Sequence, residues 1–195
     1  MKLRTYTTLA LAAVAMATVP AFAQNVHISQ NGLPEKIFRP IMGLNSNDVD
    51  FLRQAAIINM FEIQSSQIAR EKSSDPFVSE FAKEMIIDHQ ASMEELKEIA
   101  ANKGVNLPTD LPRDLKFKLM HLENQSGTTF DMAYQNVQRS GHAAASPKFK
   151  SEIENGKDQD VKGYAVKTLP TVLMHYRMML NQQTEMGVTK MDHGN

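Results

Sequence analysis

Glu62, His89, His142 and His175 are the candidate metal ligands of this sequence. Each lies within a stripe of apolar residues at helical spacing, so each side chain is predicted to face a protein core. A buried carboxylate or imidazole is costly unless it is paired, hydrogen-bonded or bound to metal. Three imidazoles and one carboxylate suit a first-row divalent ion, so the cofactor expected here is iron, zinc, manganese or copper.

Side chains near these four residues could support such a site. Asp88 precedes His89 and could hydrogen-bond a ligand imidazole from an outer position around the ion. Met85 and Met93 lie four residues before and after His89, and Met179 lies one turn after His175. Thioether sulfurs are soft ligands that suit Cu(I), although methionine at helical spacing more often fills a core.

A structural interpretation stays open beside the metal one, because a buried Glu and His can form a hydrogen-bonded pair that only orders the core. A carboxylate-bridged di-iron centre is disfavoured, since it requires Glu three residues before His on two helices. Ile86, Arg139 and Val172 stand there instead. The chain also lacks the nucleophile-elbow, P-loop, zincin and dinucleotide motifs. No catalytic residue is therefore predicted, and a metal-dependent redox enzyme is the weaker alternative.

Four long helices are predicted to position the candidate ligands. Helix A begins near Asn47 and ends near Lys72, and helix B follows Asp75-Pro76 and ends at Gly104. After a short amphipathic helix, helix C runs from Thr128 to Asn155, and helix D begins near Asp158. Pro147 is expected to kink or divide helix C, and Pro170 to kink helix D. A faint internal duplication pairs the helices into two hairpins, so the fold class is an all-α, ferritin-like up-and-down four-helix bundle.

The first 23 residues have the pattern of a cleaved secretory signal. Lys2 and Arg4 precede a short apolar run that ends in Ala21-Phe22-Ala23, so cleavage is expected after Ala23 and the location is expected to be the periplasm or cell envelope. Residues 24–46 read as a flexible extension that includes His27, residues 47–186 as the bundle domain and residues 187–195 as a flexible tail. No later stretch is apolar enough to span a membrane.

Composition excludes several kinds of site and partner. The chain contains no cysteine, which rules out disulfides, thiolate metal sites and cysteine nucleophiles. Lys and Arg number 21 against 22 Asp and Glu, and the basic residues are scattered. A nucleic-acid-binding domain would collect them on one face, so no nucleic-acid partner is predicted. An envelope protein or a second copy of the chain is the expected partner.

The chain also resembles a known family in its order of segments. These are FLRQAA, MFEIQSSQIAREKSSDPFVSEFAKEMIIDHQ, FDMAYQ and KTLPTVLMHY. Together they resemble the bacterial domain of unknown function 4142 from Val49 to Gln183. The resemblance implies a secreted or envelope-associated helical bundle, similar to ferritin-like proteins and without an assigned activity. This chain has Gly141-His142 where that family usually has an Asp-His pair on helix C.

Overall fold

The computed structural model describes the backbone of residues 43–192 and the side chains of residues 43–184. These residues form five helices and no strand, which confirms the predicted all-α class. The predicted signal segment, most of the extension, His27 and His193 lie outside the described residues. The helices are α1 (Ser46–Lys72), α2 (Pro76–Lys103), α3 (Arg113–Glu123), α4 (Gly127–Asn155) and α5 (Gln159–Asp192).

Local capping interactions explain where the first hairpin begins, turns and ends. Asn45 and Asp48 form a capping box at the start of α1, each side chain accepting the other residue's backbone N–H. Asp75 then caps α2 by accepting from the Val78 amide, and Pro76 occupies the first turn. Gly104 ends α2 with a φ of 68°, the left-handed conformation that glycine adopts without strain. These bounds agree with the predicted ones to within two residues.

Contacts at the two ends of each helix pair give the helix directions. Phe51 near the start of α1 packs on Phe149 near the end of α4, while Ser66 late in α1 bonds to Tyr134 early in α4. Helix α1 is therefore antiparallel to α4 as well as to α2. The same argument makes α5 antiparallel to α2, so the four long helices run up, down, down and up. The α2-to-α4 connection must return along the bundle, and α3 lies within it.

Neither internal proline ends its helix. Helix α4 passes through Pro147 and α5 passes through Pro170, so of the two expected effects of Pro147, a kink or a division of helix C, the division is wrong. Both prolines are exposed. The carbonyl that each proline leaves without an amide partner therefore lies on the solvent side, where water can replace the lost hydrogen bond.

The core contains two large apolar clusters separated by a polar layer, and a third, small cluster of Phe61, Leu111 and Leu119. One large cluster surrounds Phe51, Leu96, Phe149 and Tyr164, and the other large cluster surrounds Phe81, Met85, Phe130 and Tyr134. On every long helix, the polar residues of this layer lie in sequence between the parts that enter the two large clusters, whereas the buried Asp48 and Glu152 lie beyond the cluster around Phe51 and Phe149. The buried polar side chains of this layer are Asn59, Glu62, Ser65, Ser66, His89, Gln138, His142 and His175.

Two further observations concern the chain as a whole. Within the part of the chain that the structure describes, no helix combines the length and the apolar character that crossing a membrane requires. Helix α5 extends to Asp192, so its backbone continues into the stretch 187–195 for which the sequence indicates a tail.

Candidate metal centre

The structure brings His89 of α2, His142 of α4 and His175 of α5 together inside the polar layer. Their exposed fractions are 6%, 2% and 0%. The ring centroids lie 5.9 Å apart for His89 and His142, 5.8 Å for His89 and His175, and 5.3 Å for His142 and His175. One nitrogen of each ring lies within 4.8 Å of a nitrogen of the other two. Three helices thus deliver three imidazoles to one point.

One nitrogen of each imidazole donates a hydrogen bond to an oxygen. His89 Nδ1 donates to Asn59 Oδ1 on α1 over 2.8 Å, and His175 Nε2 donates to Asp88 Oδ2 on α2 over 3.0 Å. His142 Nδ1 donates to the backbone carbonyl of Gln138 over 2.8 Å. Since all three partners are acceptors, each contact fixes the tautomer as well as the orientation of its ring.

The other nitrogen of each ring therefore carries a lone pair. These atoms are His89 Nε2, His142 Nε2 and His175 Nδ1, which are buried and lack a hydrogen-bond partner among the described residues. Buried polar atoms are normally paired, so three such atoms in one group require an explanation. A metal-binding imidazole has this arrangement, with one nitrogen free for the ion and the other hydrogen-bonded to a carboxylate or carbonyl.

The environment keeps the three rings uncharged. Burial holds the pKa of His89 well below its ordinary value, and the neighbouring His142 and His175 lower it further. Burial likewise lowers the pKa of His142 to about 4. It also lowers the pKa of His175, against the opposing effect of Asp88. Neutral imidazole is the form that coordinates a metal ion, so the site is ready for binding near neutral pH.

Glu62, the predicted carboxylate ligand, lies outside this group. Within the described residues, two sets of possible ligand atoms lie within 4.8 Å of one another, the three imidazoles and a second set of Glu84, Asp88 and His175, and neither contains Glu62. Glu62 instead faces α4, where a Cβ on Gly141 would come within 3.0 Å of its Oε1. Burial raises the pKa of Glu62 to about 8, opposed by Gln138 and Lys118. The structure therefore assembles three of the four predicted ligands.

The predicted outer carboxylate, Asp88, lies beside the group of three histidines, whereas the three methionines predicted as soft ligands lie in the apolar clusters. Asp88 accepts a hydrogen bond from the imidazole of His175, one of the predicted ligands. Met85 and Met179 pack into one apolar cluster and Met93 into the other, on opposite sides of the polar layer. All three methionines thus contribute to core packing, the commoner role of methionine at helical spacing.

Asn59 is a candidate functional residue that the sequence reasoning missed. Besides accepting from His89, its amide donates to Ser92 Oγ and Tyr164 OH, each over 3.3 Å. It is 3% exposed and lies on the buried face of α1 between Ala55 and Glu62. An asparagine within an apolar helical stripe was the available signal, because a buried amide must find partners.

A cleft between α2 and α5 reaches this site from the surface. Its volume is about 250 Å³, and both His89 and His175 form part of its wall. Its other wall residues are Asp88, Ala91, Ser92, Glu95, Lys167, Thr168, Thr171 and Val172. Lys167 and Glu95 form an ion pair of 2.8 Å between the two helices. The cleft thus ends against two of the three buried imidazoles.

Comparisons with known proteins support the fold and define the family. A crystal structure of a DUF305 fragment from Deinococcus radiodurans is similar, with a TM-score of 0.66 and 11% sequence identity. The match covers 73% of this chain and 98% of that chain, and at this identity it bears on the fold alone. Comparison with curated proteins finds no significant match. The family profile described as "Domain of unknown function (DUF4142)" matches residues 40–181, and the chain belongs to that family.

Proposed function

We propose that the protein binds one divalent transition-metal ion through His89, His142 and His175. The observation that carries this proposal is that three buried ring nitrogens, all hydrogen-bond acceptors, lie together at the centre of the site. The only N–H of each neutral ring already donates to an oxygen. That oxygen belongs to Asn59 for His89, to the Gln138 backbone for His142 and to Asp88 for His175. The remaining lone pairs have no donor among the described residues. A metal cation satisfies all three at once, at the ~2.0–2.1 Å typical of zinc–imidazole bonds.

The donor set narrows the choice of ion. Imidazole suits zinc, copper, iron and nickel, whereas manganese prefers carboxylate and water ligands. Glu62 lies outside the group of three histidines, so the group does not include the predicted carboxylate ligand, which would favour manganese. Affinities for nitrogen sites rise along the first row to copper and fall slightly at zinc. Of the four ions expected from the sequence, which are iron, zinc, manganese and copper, we therefore favour copper and zinc.

The proposed setting is the periplasm or cell envelope, as the predicted signal segment indicates. In that setting the bundle would hold the ion in a protective, stress-related role. Three neutral imidazoles anchored on three helices would keep the ion away from other cellular ligands. This role requires only tight binding and no catalytic residue.

One observation favours the alternative, a structural or protein-interaction module whose polar residues order the core. Asn59, Ser92 and Tyr164 form a connected hydrogen-bond network that joins α1, α2 and α5. Such a network can fix the register of packed helices without any ion. It does not account for the three lone pairs, however, because a purely structural network gains most when its donors meet its acceptors.

Elemental analysis tests the proposal. The untagged mature protein would be purified from periplasm without chelator, and metal content per chain would be measured for wild type and for His142→Ala. His121→Ala is the matched control, because His121 is an exposed histidine on α3. We expect near-stoichiometric metal in the wild type and the control, and its loss in His142→Ala.

A thermal-shift measurement complements the analysis. A ligand that binds only the folded state raises its stability, so adding zinc or copper should raise the unfolding temperature of chelator-treated wild type but not of His142→Ala. Absence of bound metal together with absence of any shift would contradict the proposal and favour the structural module.

A further inference from the structure

The three imidazoles leave the coordination of an ion incomplete. Zinc sites with three protein ligands keep a fourth position for water or substrate, whereas closed structural sites have four protein ligands. Among the described side chains, no carboxylate and no fourth histidine joins the group of three. Asp88 bonds to His175 Nε2, on the side of the ring away from the free Nδ1. The carboxylate is thus held apart from the position that an ion would occupy.

The cleft between α2 and α5 ends against two of the three rings. His89 and His175 form part of its wall, and their free nitrogens lie buried directly behind that wall. His142 is not among the wall residues, so the third imidazole lies on the far side of the site from the cleft. The cleft therefore approaches the site between His89 and His175.

The chemistry of the cleft indicates which molecules it would admit. Three neutral imidazoles leave a divalent ion with its full charge, which attracts anions. The hydroxyls of Thr168 and Thr171 line the cleft and can donate hydrogen bonds to a molecule within it, whereas the Ser92 hydroxyl is bonded to Asn59 and Tyr164. Two carboxylates also line the cleft: Glu95 is paired with Lys167, and the single charge of Asp88 is smaller than the charge of a divalent ion. A small anion is therefore the ligand class that fits.

We propose that the bound metal ion keeps one exchangeable coordination position, open through the cleft between α2 and α5, where a small anion binds. This inference rests on the proposed metal-binding function and deepens it. It distinguishes an ion that exchanges ligands with the surroundings from one that is sealed inside the bundle. Water or hydroxide would occupy the position when no other anion is present.

The test uses Co²⁺ as the bound metal and azide as the probe, because the visible absorption of Co²⁺ reports its ligands. Full-length mature protein would be loaded with Co²⁺, its metal content measured, and azide titrated in. Two variants fill the cleft, Thr171→Phe and Ala91→Phe. Ala101→Phe is the control, since it places the same side chain at an exposed alanine on the same helix as Ala91.

We expect a saturable change in the cobalt spectrum of the wild type and of Ala101→Phe. The cleft-filling variants should retain one cobalt per chain and lose the azide response at concentrations that saturate the wild type. A loaded wild type that ignores azide would overturn the open position while leaving metal binding intact. An unchanged response in both filled variants would overturn the route through the cleft. Failure to bind cobalt at all would overturn both proposals.

Discussion

His175 of α5 donates its Nε2 hydrogen to Asp88 Oδ2 of α2 over 3.0 Å, and this contact fixes which nitrogen of the ring faces the polar layer. The contact couples two helices of different hairpins. It also makes the imidazole a better ligand, because a carboxylate partner increases the basicity of the metal-binding nitrogen. Asp88 is adjacent in sequence to His89, so one turn of α2 supplies both a ligand and the support for another.

Replacing this carboxylate should weaken metal binding without unfolding the bundle. We expect Asp88→Ala to lower the zinc affinity by about 10–100-fold, the usual effect of removing such a support. The Asp88 side chain is 34% exposed, so the core should tolerate its loss. Competition with a chromophoric chelator measures the affinity, and Glu98→Ala on the exposed side of α2 is the control. Equal affinities for the two variants would contradict the role of Asp88.

Metal binding should resist mild acid. Because burial lowers the pKa of His142 to about 4 and that of His89 well below its ordinary value, the ligands stay unprotonated as pH falls. We expect zinc affinity to change little between pH 7 and pH 6. Chelator competition across this range would check the expectation, after correction for the chelator's own protonation. A loss of affinity that follows a pKa of about 6.5, the value of a free imidazole, would contradict it.

Glu62 should make the metal-free protein less stable as pH rises. Its pKa is about 8 in the folded state against an ordinary value of 4.5, so between these pH values the unfolded chain binds fewer protons than the folded one. The unfolding free energy therefore falls with rising pH, by at most about 1.4 kcal/mol per pH unit for one group. The destabilisation that Glu62 causes is absent when the pH is below both pKa values and reaches its full size when the pH is above both.

Glu62→Gln isolates that contribution, because glutamine has a similar shape and does not titrate. The unfolding free energy of both proteins would be measured by chemical denaturation between pH 5 and pH 8. The value for the variant minus the value for the wild type should increase as pH rises. Subtracting the curves cancels the histidines and Glu152, which are common to both. Glu71→Gln removes an exposed carboxyl from the same helix and serves as the control. Parallel curves for wild type and Glu62→Gln would exclude a buried, protonated Glu62.

Gly141 and Gly163 should respond differently to alanine. In a helix interior, Gly→Ala gains about 0.5–1 kcal/mol. At Gly163 a Cβ would meet nothing within 4 Å, so we expect the full gain in unfolding free energy. At Gly141 the Cβ would lie 3.0 Å from Glu62 Oε1, so we expect the gain to be offset by the crowding.

Urea denaturation of the two glycine variants measures the difference between their unfolding free energies. The cause of the difference is tested by combining Gly141→Ala with Glu62→Ala. In a Glu62→Ala protein, Gly141→Ala should recover the helix gain, because the crowding atom is gone. If Gly141→Ala gains as much as Gly163→Ala in the wild-type background, the close approach of Glu62 to α4 is not a constraint.

Local chemistry was enough to predict the helices and most of the ligands. The capping residues Asn45, Asp75 and Gly104 act over a single turn, so the bounds of the first hairpin could be read from the chain. The three histidines interrupt apolar stripes at helical spacing, which is a property of each helix alone. Their burial and their candidacy as ligands followed directly from that spacing.

Only the packing of the helices decided which polar residues meet. Glu62 and His89 occupy comparable positions in their helices, yet α1 turns Glu62 toward Gly141 while Asn59 contacts His89. Rotation and sliding of a helix by a fraction of a turn change such contacts without changing its hydrophobic stripe, so the sequence could not distinguish them. The sequence by itself determined that this bundle would bury imidazoles and carboxylates. The tertiary structure decided that three imidazoles form the centre, because the register between α1 and its neighbours is set by the whole core.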